Sequence, residues 1–159
     1  MVEGEEGLKN LVTSYYSNLF TPIAGADLDQ VLQHIQPRVS EQMNDDLRAE
    51  YTRDEIKDAL DSMGDLKAPG VDGMPAVFYK KFWGTVGDKV VEEVLHTLQG
   101  GGMSEGWNET LVVLIPKVKN PERLKDPPPI SLCNVVYKLI SEVLANRLKK
   151  ILDTHISPN

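Results

Sequence analysis

Lys67-Ala68-Pro69-Gly70-Val71-Asp72-Gly73-Met74-Pro75 is the stretch on which the fold turns. It packs two prolines, two glycines and an aspartate into nine positions, a composition that forms turns rather than a helix or strand. Pro75 suits the first position of a following helix, where its missing N–H and fixed φ cost nothing. A lysine beside a tight loop that feeds a helix N-terminus can gather phosphate oxygens through backbone amides and the helix dipole. It is no nucleotide-binding P-loop, because no Gly-Lys-Ser/Thr follows the spacer. On spacing alone, a structural turn with glycine at positive φ is the simpler reading.

Upstream of the loop, Thr52-Arg53-Asp54-Glu55 is a capping-box pattern, with Tyr51 and Ile56 placed as a hydrophobic staple. Ile56, Ala59, Leu60 and Met63 form the apolar stripe of that helix, and Gly64 offers its C-terminal stop. Earlier still, Leu8, Leu11, Val12, Tyr15 and Leu19 recur at helical spacing and predict a helix over Leu8 to Phe20, ended by Thr21-Pro22. Short helices are expected over Asp27 to Ile35 and over Ser40 to Leu47.

Downstream, the helix opened by Pro75 presents Val77, Phe78, Phe82 and Trp83. Val90, Val91, Val94, Leu95 and Leu98 predict a further helix, ended by Gly100-Gly101-Gly102. Thr110 to Ile115 is β-branched and apolar, which predicts a buried strand stopped by Pro116, and a second short strand is expected over Pro129 to Cys133. Val136, Ile140, Val143, Leu144, Leu148 and Ile151 make one face of a last helix, with Arg147, Lys149 and Lys150 near its end, where cations suit the dipole. The fold class is therefore α+β, mostly helical, with a small β element near residues 110–133.

The 159 residues fit one domain with a modest core, and the net charge of −7 is unevenly spread. Residues 1–66 hold 14 acidic and 5 basic side chains, whereas residues 67–159 hold 10 acidic and 12 basic. The acidic front argues against a simple nucleic-acid-binding module, while the back half has room for a local basic strip. The single cysteine, Cys133, excludes an internal disulfide and a cysteine-based zinc site, and fits a reducing intracellular compartment, nucleus or cytoplasm. The N-terminus is acidic where a secretion signal is basic, and the longest plain apolar run, Leu111 to Ile115, is too short for a membrane span. Secretion and a membrane partner are therefore not expected.

His34, His96 and His155 are scattered, without metal-ligand spacing. Asp58, Asp61 and Asp65 fall near one helical face and read as a solvated acidic face rather than a Mg²⁺ site. Ser131-Leu132-Cys133 has no histidine or aspartate at a legible spacing to activate a nucleophile. No catalytic or metal residue is assigned.

Four segments, taken together, carry a resemblance. They are Lys67–Pro75 with Phe78-Tyr79-Lys80-Lys81-Phe82-Trp83; Leu114-Ile115-Pro116-Lys117; Pro129-Ile130-Ser131-Leu132-Cys133-Asn134-Val135-Val136-Tyr137-Lys138; and Leu144-Ala145-Asn146-Arg147-Leu148. In this order and spacing they resemble the opening of the reverse transcriptase of LINE-type (non-LTR) retrotransposons, in wording most like plant versions. The resemblance covers about Tyr51 to Asn159. It implies the fingers and early palm of an RNA-directed DNA polymerase over 51–159, with 1–50 as a helical linker preceding it. By the same resemblance, Lys117 faces the triphosphate or the template backbone, and Lys67, Gly70, Asp72 and Gly73 help shape a nucleotide- or template-side surface.

Two departures bear on that reading. Pro128 stands where the family has an arginine, and a proline supplies neither the charge nor the donors of a triphosphate clamp. Pro127 replaces an apolar residue, and three successive prolines disfavour a central strand; Val71 stands for a proline. The family's metal chemistry uses an early palm aspartate and a Tyr-x-Asp-Asp box, which are expected to lie beyond Asn159. The expectation is a truncated polymerase front, not an enzyme by itself, with no cofactor of its own although the intact family uses Mg²⁺. Weak contact with an RNA or DNA template is the expected partnership.

Two alternatives remain open. One is a nucleic-acid-binding module using Lys117, Lys119, Arg123, Lys125 and Lys138 as a strip. The other is a protein-interaction module offering Lys125-Asp126-Pro127-Pro128-Pro129 to an aromatic groove. A severed front is also expected to expose apolar surface, with Ile140, Leu144, Leu148 and Ile151 as that face.

Overall fold

The computed structural model describes residues 4–22, 39–117, 119, 123 and 126–155, with side chains described as far as residue 152. The chain divides into two compact units, residues 1–37 with 114–129 and residues 38–113 with 130–159. Each is described by itself. The helix expected over Asp27 to Ile35 lies outside the described residues.

The smaller unit is built on helix α1, Glu5–Phe20, which begins three residues before its predicted start. Its stripe is not the buried one the spacing suggested. Leu8, Leu11 and Leu19 are exposed, and the buried side chain is Tyr16. The Tyr16 ring stacks on Phe20 and meets Tyr15 edge-on, and its hydroxyl donates to the Pro127 carbonyl at 2.9 Å. The proline run is thus engaged by an aromatic side chain of its own unit.

The larger unit contains helices α2 (Glu41–Arg48), α3 (Arg53–Ser62), α4 (Ala76–Lys81), α5 (Trp83–Leu98) and α6 (Val135–His155). Strands β1 (Thr110–Leu114) and β2 (Pro129–Cys133) pair as a two-stranded sheet, and the unit boundary passes through their far ends, Leu114 and Pro129. The larger unit is mostly helical, with one small two-stranded sheet. The core is shared by α3, α5 and α6, with Ile56, Leu60, Val94, Leu139 and Val143 fully enclosed and Ala76 and Tyr79 of α4 joining them.

Local signals explain most boundaries. Ser40 caps α2, its hydroxyl accepting from the Met43 amide. The capping box of α3 is complete: Thr52 Oγ1 accepts from the Glu55 amide at 3.2 Å and Glu55 Oε2 accepts from the Thr52 amide at 2.9 Å. Helix α5 closes in a Schellman turn, with Gly100 at φ 93°, its amide on the Thr97 carbonyl and the Gly101 amide on the His96 carbonyl.

Several expectations need correction. Gly64 is not the stop of α3. Met63 turns extended, and the Lys80 ammonium caps the helix end by donating to the carbonyls of Asp61 (3.1 Å) and Met63 (2.6 Å) while pairing with Asp65 at 2.6 Å. Pro75 sits one position before α4 as its cap rather than as its first residue. Helix α5 starts at Trp83, well before Val90, because Phe82 serves as the junction between two helices. Strand β1 is not buried: Leu111 and Val112 are exposed, since a two-stranded sheet leaves a face uncovered. The same small sheet explains how Pro129 is accommodated, because both strands are edges.

Arg147 does not serve the end of α6, which runs on to His155. Ile140 and Ile151, expected on an exposed face, are buried, while Leu144, Leu148 and Leu152 are exposed.

Candidate functional site

The loop that decides the fold is held in place by residues distant in sequence. Gly70 approaches the β2–α6 junction so closely that a Cβ there would lie 2.1 Å from Asn134 Oδ1 and 2.4 Å from the Asn134 amide nitrogen. Asn134 is a buried polar residue with its polar atoms matched: its Oδ1 accepts from the Asp72 amide at 3.3 Å and its Nδ2 donates to the Gly106 carbonyl at 3.0 Å. Lys138, one turn into α6, donates to the Ala68 carbonyl at 3.0 Å. Within the loop the Gly73 amide returns to the Gly70 carbonyl, Gly73 takes φ 67°, and Asp72 Oδ1 accepts from the Met74 amide. Two of the segments singled out in the sequence, Lys67–Pro75 and Pro129–Lys138, therefore meet through Asn134.

This placement divides the expected site residues by role. Gly70 serves the close approach, and Gly73 serves the turn. Asp72 spends its backbone amide on Asn134 and one carboxylate oxygen on Met74. Lys67 is exposed, its stem lying over Gly64, and Asp72 of the same loop is exposed as well. Lys117 lies in the smaller unit, exposed, in the segment after β1. Lys119 and Arg123 are likewise exposed there, Lys138 belongs to the larger unit, and Lys125 lies outside the described residues.

The loop stands between two cavities of different charge. One, of about 370 Å³, is lined by Lys67, Lys138, Tyr137, Ser141, Cys133 and Glu142 among others. The other, of about 420 Å³, is lined by Asp72, Glu105, Tyr79, Trp107, Lys89 and Asn134 among others. Burial, and then the neighbouring Asp72 carboxylate, push the Tyr79 hydroxyl up to about 12, so it stays protonated at neutral pH.

A third cavity, of about 600 Å³, lies beside Arg147. Arg147 is buried and uses all five of its N–H donors. Nε and Nη2 hold the two oxygens of Glu55 at 2.8 and 2.9 Å, Nη1 donates to the carbonyls of Leu47 and Ala49, and Nη2 also reaches the Glu50 carbonyl at 2.8 Å. Its guanidinium lies 3.8 Å above the Tyr51 ring centre. The Arg147 fork, against the cost of partial burial, holds the Glu55 carboxyl down at about 2. Glu55 announced itself in the sequence as a capping residue; its second partner lies 92 positions away and left no local signal.

Of the aspartates read as a solvated face, Asp61 pairs with Lys57 and Asp65 with Lys80. Among the described residues, no group of three His, Cys, Asp or Glu side chains is gathered as a metal ion would need. No helix among them is long and apolar enough to cross a membrane.

Comparison with known proteins places this geometry in context. No protein-family model matches the chain. Over 159 residues, 99% of its length, it is 30% identical to the "Transposon TX1 uncharacterized 149 kDa protein" of Xenopus laevis. The chain spans 12% of that relative's length. It is thus similar, along nearly all of its length, to a segment of a transposon-encoded protein.

Proposed function

We propose that this chain is the fingers and early-palm portion of an RNA-directed DNA polymerase of the non-LTR retrotransposon type, most like plant versions, with residues 51–159 as that portion and 1–50 as its helical lead-in. The observation that carries the proposal is the 30% identity to a transposon protein along 99% of the chain. The polymerase motifs quoted above fall within that matched length. Agreeing with it, the Lys67–Pro75 and Pro129–Lys138 segments are tied together by a buried asparagine, as expected of parts of one working surface.

Its role in this reading is to hold nucleic acid. Lys67 and Lys117 are exposed cations suited to phosphate oxygens, and the glycines and Asp72 fix the wall from which Lys67 projects. The sequence contains no Tyr-x-Asp-Asp box, and among the described residues no carboxylates are gathered as the Mg²⁺ ions of the intact family would need. It is proposed to bind a template in the nucleus or cytoplasm without polymerising on it.

Two assays on the purified chain test this. Primer extension on a primed RNA template with Mg²⁺ is expected to give no incorporation. Fluorescence anisotropy with a labelled 20-nucleotide RNA is expected to give binding that weakens linearly in log–log form as salt rises. Template-directed incorporation, or absence of salt-sensitive binding, overturns the proposal.

A further inference from the structure

Helix α6 carries two apolar faces. One is a wall of the core, with Val136, Leu139, Ile140, Val143 and Ile151 buried. The other is bare: Tyr137, Leu144, Leu148 and Leu152 are 37%, 40%, 47% and 44% exposed. With the exposed Ser141 they advance by steps of 4, 3, 4 and 4 residues, so they form one stripe about 22 Å long. Steps of 3 and 4 make the seam along which two helices pack side by side, whereas a helix that faces only its own core is polar on its outer side. The charges beside the stripe follow a pattern too. Glu142 and Lys149 pair at 3.4 Å across two turns, which places both on one flank of the stripe. They stand evenly before and after the midpoint of Leu144 and Leu148, near Ala145 and Asn146, with the acid first and the base second.

We propose that this stripe is a self-pairing surface: two copies of the chain associate through α6, antiparallel about a two-fold axis near Ala145 and Asn146. Leu144 of one copy then packs on Leu148 of the other, and Glu142 of one copy meets Lys149 of the other. In an antiparallel helix pair the same flank of each helix faces its counterpart, and the two-fold axis makes every contact twice. An acid and a base placed evenly about the midpoint of one flank are therefore complementary to their own image. A parallel pair brings Glu142 to Glu142 and Lys149 to Lys149, so the charges select the antiparallel one. A second copy carries this matching pattern by necessity, whereas an unrelated partner would have to reproduce it. A single helix face about 22 Å by 10 Å is well below the ~800 Å² per partner of a standard interface, so the pair is weak and depends on concentration.

The test is sedimentation equilibrium of the whole chain from micromolar to millimolar concentration, with the fold of each variant checked by circular dichroism. The parent is expected to pass from monomer to dimer, and Leu148→Lys, at an exposed position, to stay monomeric. Glu142→Lys and Lys149→Glu, each alone, are expected to weaken dimerisation roughly tenfold, because like charges then meet twice across the axis. The double variant, Glu142→Lys with Lys149→Glu, is expected to dimerise as the parent does. Fluorescein-labelled parent mixed with the unlabelled double variant reads the orientation. An antiparallel mixed pair sets like charges together and is expected to be roughly tenfold weaker than either like pair, whereas a parallel pair mixes more strongly than either alone. A parent that stays monomeric throughout overturns the proposal and leaves the stripe to another protein or segment. A dimer indifferent to Leu148→Lys overturns the surface, and free mixing of parent with double variant overturns the antiparallel pairing.

Discussion

Replacing Arg147 by alanine tests the polar assembly that joins α6 to the start of α3. The change removes five hydrogen bonds at once: two to the Glu55 carboxylate and three to the carbonyls of Leu47, Ala49 and Glu50. It also uncovers the Tyr51 ring, over which the guanidinium lies at 3.8 Å. Breaking a buried ion pair by removing one partner costs about 3–5 kcal/mol. Glu55 retains 30% side-chain exposure and its bonds to Thr52, so the lower end applies, about 3 kcal/mol. For a domain of this size that corresponds to a melting temperature lower by roughly 10 °C.

The pH dependence checks the same pair independently. Glu55 is held at about 2 in the folded chain against an ordinary 4.5. A depressed carboxyl stabilises the fold fully above its unfolded value, and that contribution is lost as pH falls from about 4.5 toward 2. Its bare size is ~3 kcal/mol, reduced to about 2 kcal/mol by the water that still reaches Glu55. The assay is thermal denaturation by circular dichroism at pH 7, 4.5 and 3, for the parent, Arg147→Ala and Glu55→Gln. The parent is expected to lose stability steeply below pH 4.5, and both variants much less so. A melting temperature for Arg147→Ala within about 2 °C of the parent, or an unaltered acid slope, refutes the reasoning.

Further outcomes follow from other contacts. Gly70→Ala places a Cβ against Asn134 and is expected to cost about 2 kcal/mol in urea denaturation, because the obstacle includes backbone that cannot swing aside. Asn134→Leu leaves the Asp72 amide and the Gly106 carbonyl without their partner and is expected to cost about 2–3 kcal/mol by the same assay. Thr52→Ala removes the helix cap and is expected to cost about 1 kcal/mol, visible as a lower melting temperature. Leu144→Lys with Leu148→Lys acts on exposed positions, so it is expected to leave stability within about 0.5 kcal/mol while reducing self-association in analytical ultracentrifugation.

The fold was legible where its causes are local. The Thr52–Glu55 box and the Gly100–Gly102 stop are each a few residues of stereochemistry, and each bounds a helix where the residues say it should. The span of β2 and the long last helix were also readable from apolar pattern and length. What escaped the sequence was pairing at a distance. Lys80 capping α3 spans 17 positions to Met63 and Arg147 to Glu55 spans 92, and neither leaves a periodic trace.

Burial is not legible in the sequence for a related reason. Periodicity shows which side chains share a face, but the partner layer decides whether that face is covered. Leu8, Leu11 and Leu19 share a face of α1 and remain exposed, as do Leu111 and Val112 in a sheet of two strands. Of the candidate site, Lys67 and the turn glycines are legible from residue type, whereas the structural task of Asn134 is not. Its role depends on Gly70 and Gly106 arriving beside it, which only the folded chain arranges.

The salt dependence of RNA binding by the purified chain tests the central claim most directly. A nucleic-acid-holding polymerase fragment predicts an affinity that falls linearly with salt in log–log form, with a slope that lessens when Lys67 is removed. Binding that is absent at 50 mM salt, or that is indifferent to salt between 50 and 200 mM, contradicts it.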